Sequence, residues 1–432
     1  MERPISWLSA ANGSVFAQSD AAITRRRALR LRARAPSSRA KVEGSRRSYL
    51  KTSATGFLGF RSGMARRRSH NNCKCRLRRA NLILMTSELL TISEVRRRTQ
   101  NGFLTARVHA QVESAAARAT REGKPYCEIS IADACDRMML RVWDNHPDYK
   151  SCSALQDGDF IEIDGEFAQH QQFGLEAKSW KSRSLTSDEI ANLLAGPPEL
   201  RAKQSSDSAF IIQAVAAISD PRLRGICELF LKDFGERFRR TAAARNYHHA
   251  RRGGLVEHTA QMMRVALALC PLYPQLNLDL LLAGILFHDS GKLWENHLPE
   301  DGFTMGFDER GELMGHISIG LELVNSLWRK LQAEENGRAW ENLVPPSEDC
   351  RLHLLHLIAS HHGDMQFGSP VYPKTPEAMT LHYIDNLDAR LEMFAAGYLT
   401  AKPIAERIFD RVRPLPGNLV KSLEKFVTAS SG

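Results

Sequence analysis

No run of about 18 uninterrupted apolar residues occurs in this 432-residue sequence, so no membrane-spanning helix is expected. The N-terminus also lacks the central apolar stretch of a secretory signal. Cysteine is sparse and unpatterned. The eight residues, Cys73, Cys75, Cys127, Cys135, Cys152, Cys227, Cys270 and Cys350, show neither zinc-ribbon nor disulfide-framework spacing. Free thiols in a reducing, cytoplasmic compartment are therefore expected. Acidic residues are almost missing from the first fifth. Residues 1–84 hold 20 Lys and Arg against 3 Asp and Glu, and the remainder holds 39 against 46. The formal charge of +10 thus belongs to one end, and the rest of the chain has no globally cationic surface with which to grip a polyanion.

The length is too great for one ordinary core, so several units are expected. Residues 1–84 carry the arginine runs RRRALRLRARA and ARRRSHNNCKCRLRRA without any sustained period, and read as a disordered basic arm. A nucleic-acid-binding arm and an organellar transit peptide both fit. The favoured expectation is an extension outside the working protein, with Met85 as the true start. Five short strands are predicted within residues 95–182: FLTARVHAQV, YCEISIAD, RMMLRVWD, DFIEIDGEFA and FGLEAKSW. Five strands in so short a span fit a small all-β barrel of the oligonucleotide/oligosaccharide-binding (OB) type. Lys124, Tyr126, Arg141 and Trp143 would then be available to hold a single strand by stacking and phosphate pairing. Taken singly, either ring reads better as barrel filler. Residues 183–207 read as a short helix and a linker broken at Gly196-Pro197-Pro198. Apolar spacing of three and four then predicts an all-α bundle over 208–400 and a helical tail over 401–432.

The helical half concentrates imidazoles and carboxylates. His258 opens a helix after two glycines. LDLLLAGILFHD is apolar nearly all round and delivers His288 and Asp289 at its end. His316 begins a further helix, His361 and His362 close another, and Asp385 lies mid-helix with Asp388 one turn on. Seven such donors exceed the four of a closed structural zinc site. They suit two divalent ions sharing a bridging carboxylate, ~3.5–4 Å apart, which clamp the attacking and leaving oxygens of a phosphoester. Ligation rich in imidazole suits manganese, iron or cobalt better than magnesium. Lys292, one turn beyond His288, would meet a phosphate oxygen rather than a metal. A lone histidine on an apolar helix is more often structural, and His353 and His356 are read that way. What separates the others is their order and number.

The ordered pattern H…HD…H…HH…D resembles the HD-domain metal-dependent phosphohydrolase superfamily. The resemblance implies that His258, His288, Asp289, His316, His361, His362 and Asp385 are metal ligands. More closely, NYHHARRGGLVEHT, HDSGKLWE, GELMGHI and SHHGDMQFGSPVYPKTPEAMTLHYIDNLDA, with GKPYCEISIAD…LRVWD upstream, resemble the YhaM-type 3′–5′ exoribonucleases. That likeness implies an OB-type barrel before an HD bundle, and hydrolysis of single-stranded RNA or DNA from the 3′ end. It also implies a catalytic role for Asp289, with His249 and Lys292 beside the scissile phosphate. Two other readings are a phosphohydrolase of nucleotides or cyclic nucleotides, and a non-catalytic OB module with an inactive helical partner. The absence of GYP after the histidine pair speaks against the cyclic dinucleotide version, and the intact donor set against the inactive one. Oligomeric state, RNA against DNA preference and physiological substrate are not legible here.

Overall fold

Period-two sequence builds the first half of the molecule. In the computed structural model, which describes residues 87–170, 173–333 and 339–424, all described residues fall in one compact unit. The arm over 1–84 lies outside the described residues. Strand β1 (Glu88–Leu89) and helix α1 (Ile92–Arg98) lead into β2 (Phe103–Ala119), β3 (Pro125–Ala132) and β4 (Arg137–Trp143). Helix α2 (Tyr149–Ser153) then precedes β5 (Phe160–His170) and β6 (Gly174–Ser184). The strands pair in the order β4-β3-β2-β5-β6, all antiparallel, with β1 added parallel to β2. Seventeen-residue β2 serves both sides: Phe103–Gln111 pairs with β5, and Gln111–Ala119 pairs with β3. The outer strands return toward each other, since Arg141 of β4 donates to Glu176 of β6 at 3.2 Å. Met138, Leu140 and Val142 of β4 point inward with Ile129 and Ile131 of β3. Arg137, Met139, Arg141 and Trp143 alternate outward.

Helices follow without intervening strands. They are α3 (Ser187–Ala195), α4 (Pro198–Ala216), α5 (Pro221–Arg240), α6 (Gly254–Leu269), α7 (Leu278–Phe287), α8 (Lys292–Glu295), α9 (Glu309–Ala333), α10 (Ser347–Ser360) and α11 (Pro376–Thr400). Their apolar faces form one core around α7, in which every residue from Leu280 to Phe287 is buried. Sheet and bundle are tied at a few points. The Phe303 amide donates to Gln111 at 2.6 Å, at the residue where β2 changes partner. Phe303 also packs with Ala132 and Ala134.

Two expected segments are corrected. Residues 183–207 hold no linker: after β6 ends at Ser184 come α3 and then α4, which starts at Pro198 and runs to Ala216. Pro198 occupies the first turn, where a missing amide is tolerated, so the Pro-Pro pair starts this helix. The tail after residue 400 is not helical within its described part. Residues 401–424 form a small sheet of β7 (Pro403–Ala405), β8 (Ile408–Phe409) and β9 (Leu419–Val420). Pro403, Pro414 and Pro416 cannot continue a helix.

The first half of α4 docks through ions, whereas Ile211, Ala214 and Val215 of its second half join the apolar core. Its Lys203 and Gln204 reach Glu257 of α6 at 2.9 and 3.0 Å, and Arg251 reaches the same carboxylate at 2.6 Å. Burial favours the neutral acid, but Arg251, Gln204 and Lys203 outweigh it and hold the Glu257 carboxyl at about 2, below its ordinary 4.5. A carboxyl so depressed contributes about 3 kcal/mol, fully present above pH ~4.5 and lost as pH falls toward 2. Glu257→Gln should therefore cost about 3 kcal/mol at pH 7 and progressively less below pH 4. Urea titrations at the two pH values check this, and a pH-independent gap would refute the linkage.

Candidate metal centre

Each imidazole is delivered by a separate element and held by its outer nitrogen. His258, in the second turn of α6, places Nδ1 2.7 Å from Asp388. His288 caps α7 and bonds Ile285 O through Nδ1 at 2.8 Å. His361 caps α10 and repeats that geometry with Ile358 O at 2.7 Å. His316 places Nδ1 2.7 Å from Glu295, and His362 places Nδ1 2.7 Å from Phe367 O. A contact at Nδ1 to a carbonyl or carboxylate fixes the tautomer and leaves the Nε2 lone pair facing inward.

The inner nitrogens converge. Nε2 of His258, His288, His316 and His361 are all buried without a hydrogen-bond partner, as is Oδ1 of Asp289. Ring centroids run in a chain: His258 to His288 5.4 Å, His288 to His361 5.1 Å, His361 to His316 5.6 Å, and His316 to His362 5.1 Å. Asp289 lies in the middle, with Oδ2 3.2 Å from His288 Nε2 and Oδ1 3.6 and 3.7 Å from Nε2 of His361 and His316. Asp385 approaches His258 Nε2 at 3.3 Å. Among the groups whose ligand atoms lie close enough to share an ion, His258–His288–Asp289 and His316–His361–His362 contain the converging donors, and His249–His258–Asp388 adjoins them. Orphaned buried nitrogens are rare because desolvating them is costly, so a converging set of imidazoles and carboxylates suits a divalent cation.

The local electrostatics follow from burial and carboxylate placement. Burial alone would raise the Asp289 acid, but Lys292 at 2.6 Å and His288 hold it well below the usual carboxylate range. Asp385 is depressed in the same way against burial, by His258 and then His288. Burial disfavours a charged His258, yet Asp385 and Asp388 outweigh it and raise that imidazole to about 9. Burial, reinforced by His361 and His316, pushes His362 down to about 3.

Two glycines seat His316. Gly315, at φ 69° and ψ 158°, breaks α9 so that a new turn begins at the histidine. Gly291, in the turn after Asp289, lets the His316 carbonyl approach until a Cβ there would stand 1.9 Å from its oxygen.

Several residues differ from expectation. His249 sits at φ 46° and turns Nε2 to Asp388 at 3.0 Å, so it braces the carboxylate that braces His258. His248, which sequence reasoning missed, stacks 5.5 Å from His258 with a buried, unpartnered Nδ1. Burial, then Lys292 and His258, lower it to about 3, so its ring is neutral. Glu295 and Asp388 were likewise not assigned a site role, and Asp388 could have been found by its one-turn spacing from Asp385. His353 is exposed, and His356 accepts the Lys374 amide through Nε2.

Lys124, Tyr126, Arg141 and Trp143 gather on the sheet, away from these histidines. Tyr126 and Trp143 are neighbours across β3 and β4 with ring centroids 5.0 Å apart, and Trp143 is 42% exposed. Neither is core filler of the sheet, correcting the single-residue expectation: inward positions of these strands go to Cys127, Ile129, Leu140 and Val142. Arg141 lies over the Phe173 ring at 4.3 Å, and Lys124 lines a cavity of about 640 Å³ with Trp143. A further acidic group, His109 with Glu162 and Glu189, is already neutralised, since Arg183 pairs with both carboxylates at 2.7 Å.

Residues 255–390, which hold the whole histidine chain, match the HD domain family model. The chain is 30% identical to the 3′-5′ exoribonuclease YhaM of Bacillus pumilus over 307 residues, covering 70% of this chain and 91% of that one. Against YhaM of Bacillus subtilis it is 30% identical over 289 residues, 66% of this chain and 86% of that one. Against YhaM of Geobacillus sp. it is 29% identical over 308 residues, 70% and 88% of the two chains. With that identity sustained across nearly the whole of each relative, and the matched histidines meeting at one buried point, this chain belongs to the YhaM-type 3′–5′ exoribonuclease family.

Proposed function

We infer that this chain is a metal-dependent exoribonuclease that shortens single-stranded RNA from its 3′ end. The observation that carries the reading is the set of inner nitrogens, buried, unpartnered and gathered around Asp289 and Asp385. His258, His288, Asp289 and Asp385 would hold one divalent cation, and His316, His361 and His362 a second, with Asp289 serving both. Bound cations supply Lewis acidity and a water that loses its proton near neutral pH. Manganese, iron or cobalt suits so nitrogen-rich a set better than magnesium.

The chain's own groups position the substrate. Lys292 is buried beside Asp289 and presents a fixed cation to a phosphate oxygen. Neutral His248 offers a ring nitrogen to the same group, while His249 and Asp388 brace His258. Over 95–182 the strand order, with edges meeting through Arg141 and Glu176, supports a five-stranded OB-type barrel. Tyr126, Arg141 and Trp143 lie on the face, and Lys124 in the loop, that such barrels use for nucleic acid. The 208–400 segment is read as the catalytic HD unit. None of the helices among the described residues is long and apolar enough to cross a membrane, and unpaired thiols at the six described cysteines suit a reducing cytoplasm.

A 5′-labelled single-stranded RNA, incubated with manganese and then with EDTA, tests the reading. The expected result is a ladder that shortens from the 3′ end and stops on chelation. Cleavage of mononucleotides alone, or binding without cleavage, would overturn it.

A further inference from the structure

A separate cleft of about 290 Å³ lies between the sheet and the bundle. Its walls come from three places: Arg137 at the start of β4, the loop Arg245–Arg251 before α6, and the segment from Glu392 on α11 to Arg413. Its inner wall is His249, which holds Asp388, which holds His258. His249 and Asp388 therefore stand between the cleft and His258 of the metal centre. The cleft's sheet side is Arg137, on the outward face of β4. Arg137 alternates on β4 with Arg141 and Trp143, the last about 20 Å away along the strand.

The lining is cationic in excess. Four arginines, Arg137, Arg245, Arg251 and Arg413, face two carboxylates. Both carboxylates are engaged, Asp136 with Arg96 at 2.7 Å and Glu392 with Arg251 at 2.9 Å. Arg245 is committed to the carbonyls of Glu295 and Gly306. Two guanidinium groups remain open to an anion. Arg137 has only a loose 3.5 Å contact with Glu113 and a 3.3 Å bond to Arg245 O, and Arg413 is exposed, with no side-chain partner among the described residues. Tyr247 lines the same cleft and is 52% exposed. An open aromatic ring beside unpaired cations has the composition of a single-strand site, where bases stack and phosphates pair.

We propose that this cleft binds the nucleotide just upstream of the scissile phosphate, with its base on Tyr247 and its phosphate between Arg137 and Arg413. The proposal rests on the exoribonuclease reading and adds where the strand runs between sheet and metal centre. It also assigns Tyr247 and Arg413 as binding residues outside the metal centre.

The test is kinetic, on the full chain with manganese, using a 20-nucleotide RNA and bis(p-nitrophenyl) phosphate, a small diester with no upstream nucleotide. Tyr247→Ala should raise KM for the RNA about tenfold, with Tyr247→Phe close to wild type, because stacking needs the ring rather than the hydroxyl. Arg413→Ala should weaken RNA binding severalfold and flatten its salt dependence by about 0.7 in the logarithmic slope, one phosphate's worth. Hydrolysis of the small diester should be unchanged in all three variants. An unchanged RNA KM, or an equal loss on both substrates, would overturn the cleft assignment while leaving the nuclease intact. A wild-type enzyme that cleaves the diester but never trims RNA would overturn the exoribonuclease reading, and this site with it.

Discussion

Asp289→Asn and His288→Ala are each expected to lower phosphodiester hydrolysis by ~10³-fold or more while the protein stays folded. Asn keeps the volume of Asp289 and still offers an oxygen to Lys292, but it removes the charge that lies among His288, His316 and His361. His288 contributes to the fold only through its Nδ1 bond to Ile285 O and its packing, since Nε2 has no partner. Its truncation should cost about 2–4 kcal/mol, less than the stability of an ordinary chain of this size. Circular dichroism should thus remain native-like, while manganese content after dialysis falls by at least one equivalent. Variants that kept both their metal and their rate would exclude these residues from the centre.

Gly291→Ala should be strongly damaging for the addition of a single methyl group. Gly291 has φ −68° and ψ −18°, which alanine adopts freely, so the substitution would by itself stabilise by about 0.4–1 kcal/mol. The sign reverses because the new Cβ would fall 1.9 Å from the His316 oxygen and 2.7 Å from its carbonyl carbon. Backbone must move against backbone, at a cost of about 3 kcal/mol or more, and His316 moves with it. Both melting temperature and metal content should drop. Gly235→Ala is the control: it lies in α5 with open space around the added methyl, and should be neutral or slightly stabilising. Equal melting temperatures for the Gly291 variant and wild type would show that the turn after Asp289 is not tightly packed.

The strands were legible because alternation reports a half-buried sheet directly. RMMLRVW places Met138, Leu140 and Val142 inside as its pattern demands. The apolar α7 was equally plain, and with it the position of His288 and Asp289 at its end. Helix α4 was hidden by its own chemistry. PELRAKQSSD shows no apolar stripe because the face it turns inward is polar, with Asp207 buried against Arg264 and Lys203. The tail misled for a different reason: its short strands pair within themselves over only two or three residues, too few for a period to register.

Within the site, the candidate metal ligands announce themselves by type and order. Those that orient them do not. Glu295 and Asp388 act by meeting an outer nitrogen brought from a distant element; no spacing marks Glu295, and Asp388 shows only its one-turn spacing from Asp385. The rings of His248 and His249 stand 89° apart, with His249 at a φ of 46°, and no residue pattern announces which of the two turns to Asp388.

The pinned outer nitrogens carry a further implication for how the protein acquires its ions. A cage whose imidazoles are already locked has little freedom to reshape itself around a preferred guest. Nitrogen-rich donor sets bind copper and zinc more strongly than manganese or iron, whatever the protein intends. Discrimination must then come from which ions the surroundings make abundant. Preparations from differently supplied cultures should carry different metals, and their activities should diverge although the polypeptide is identical.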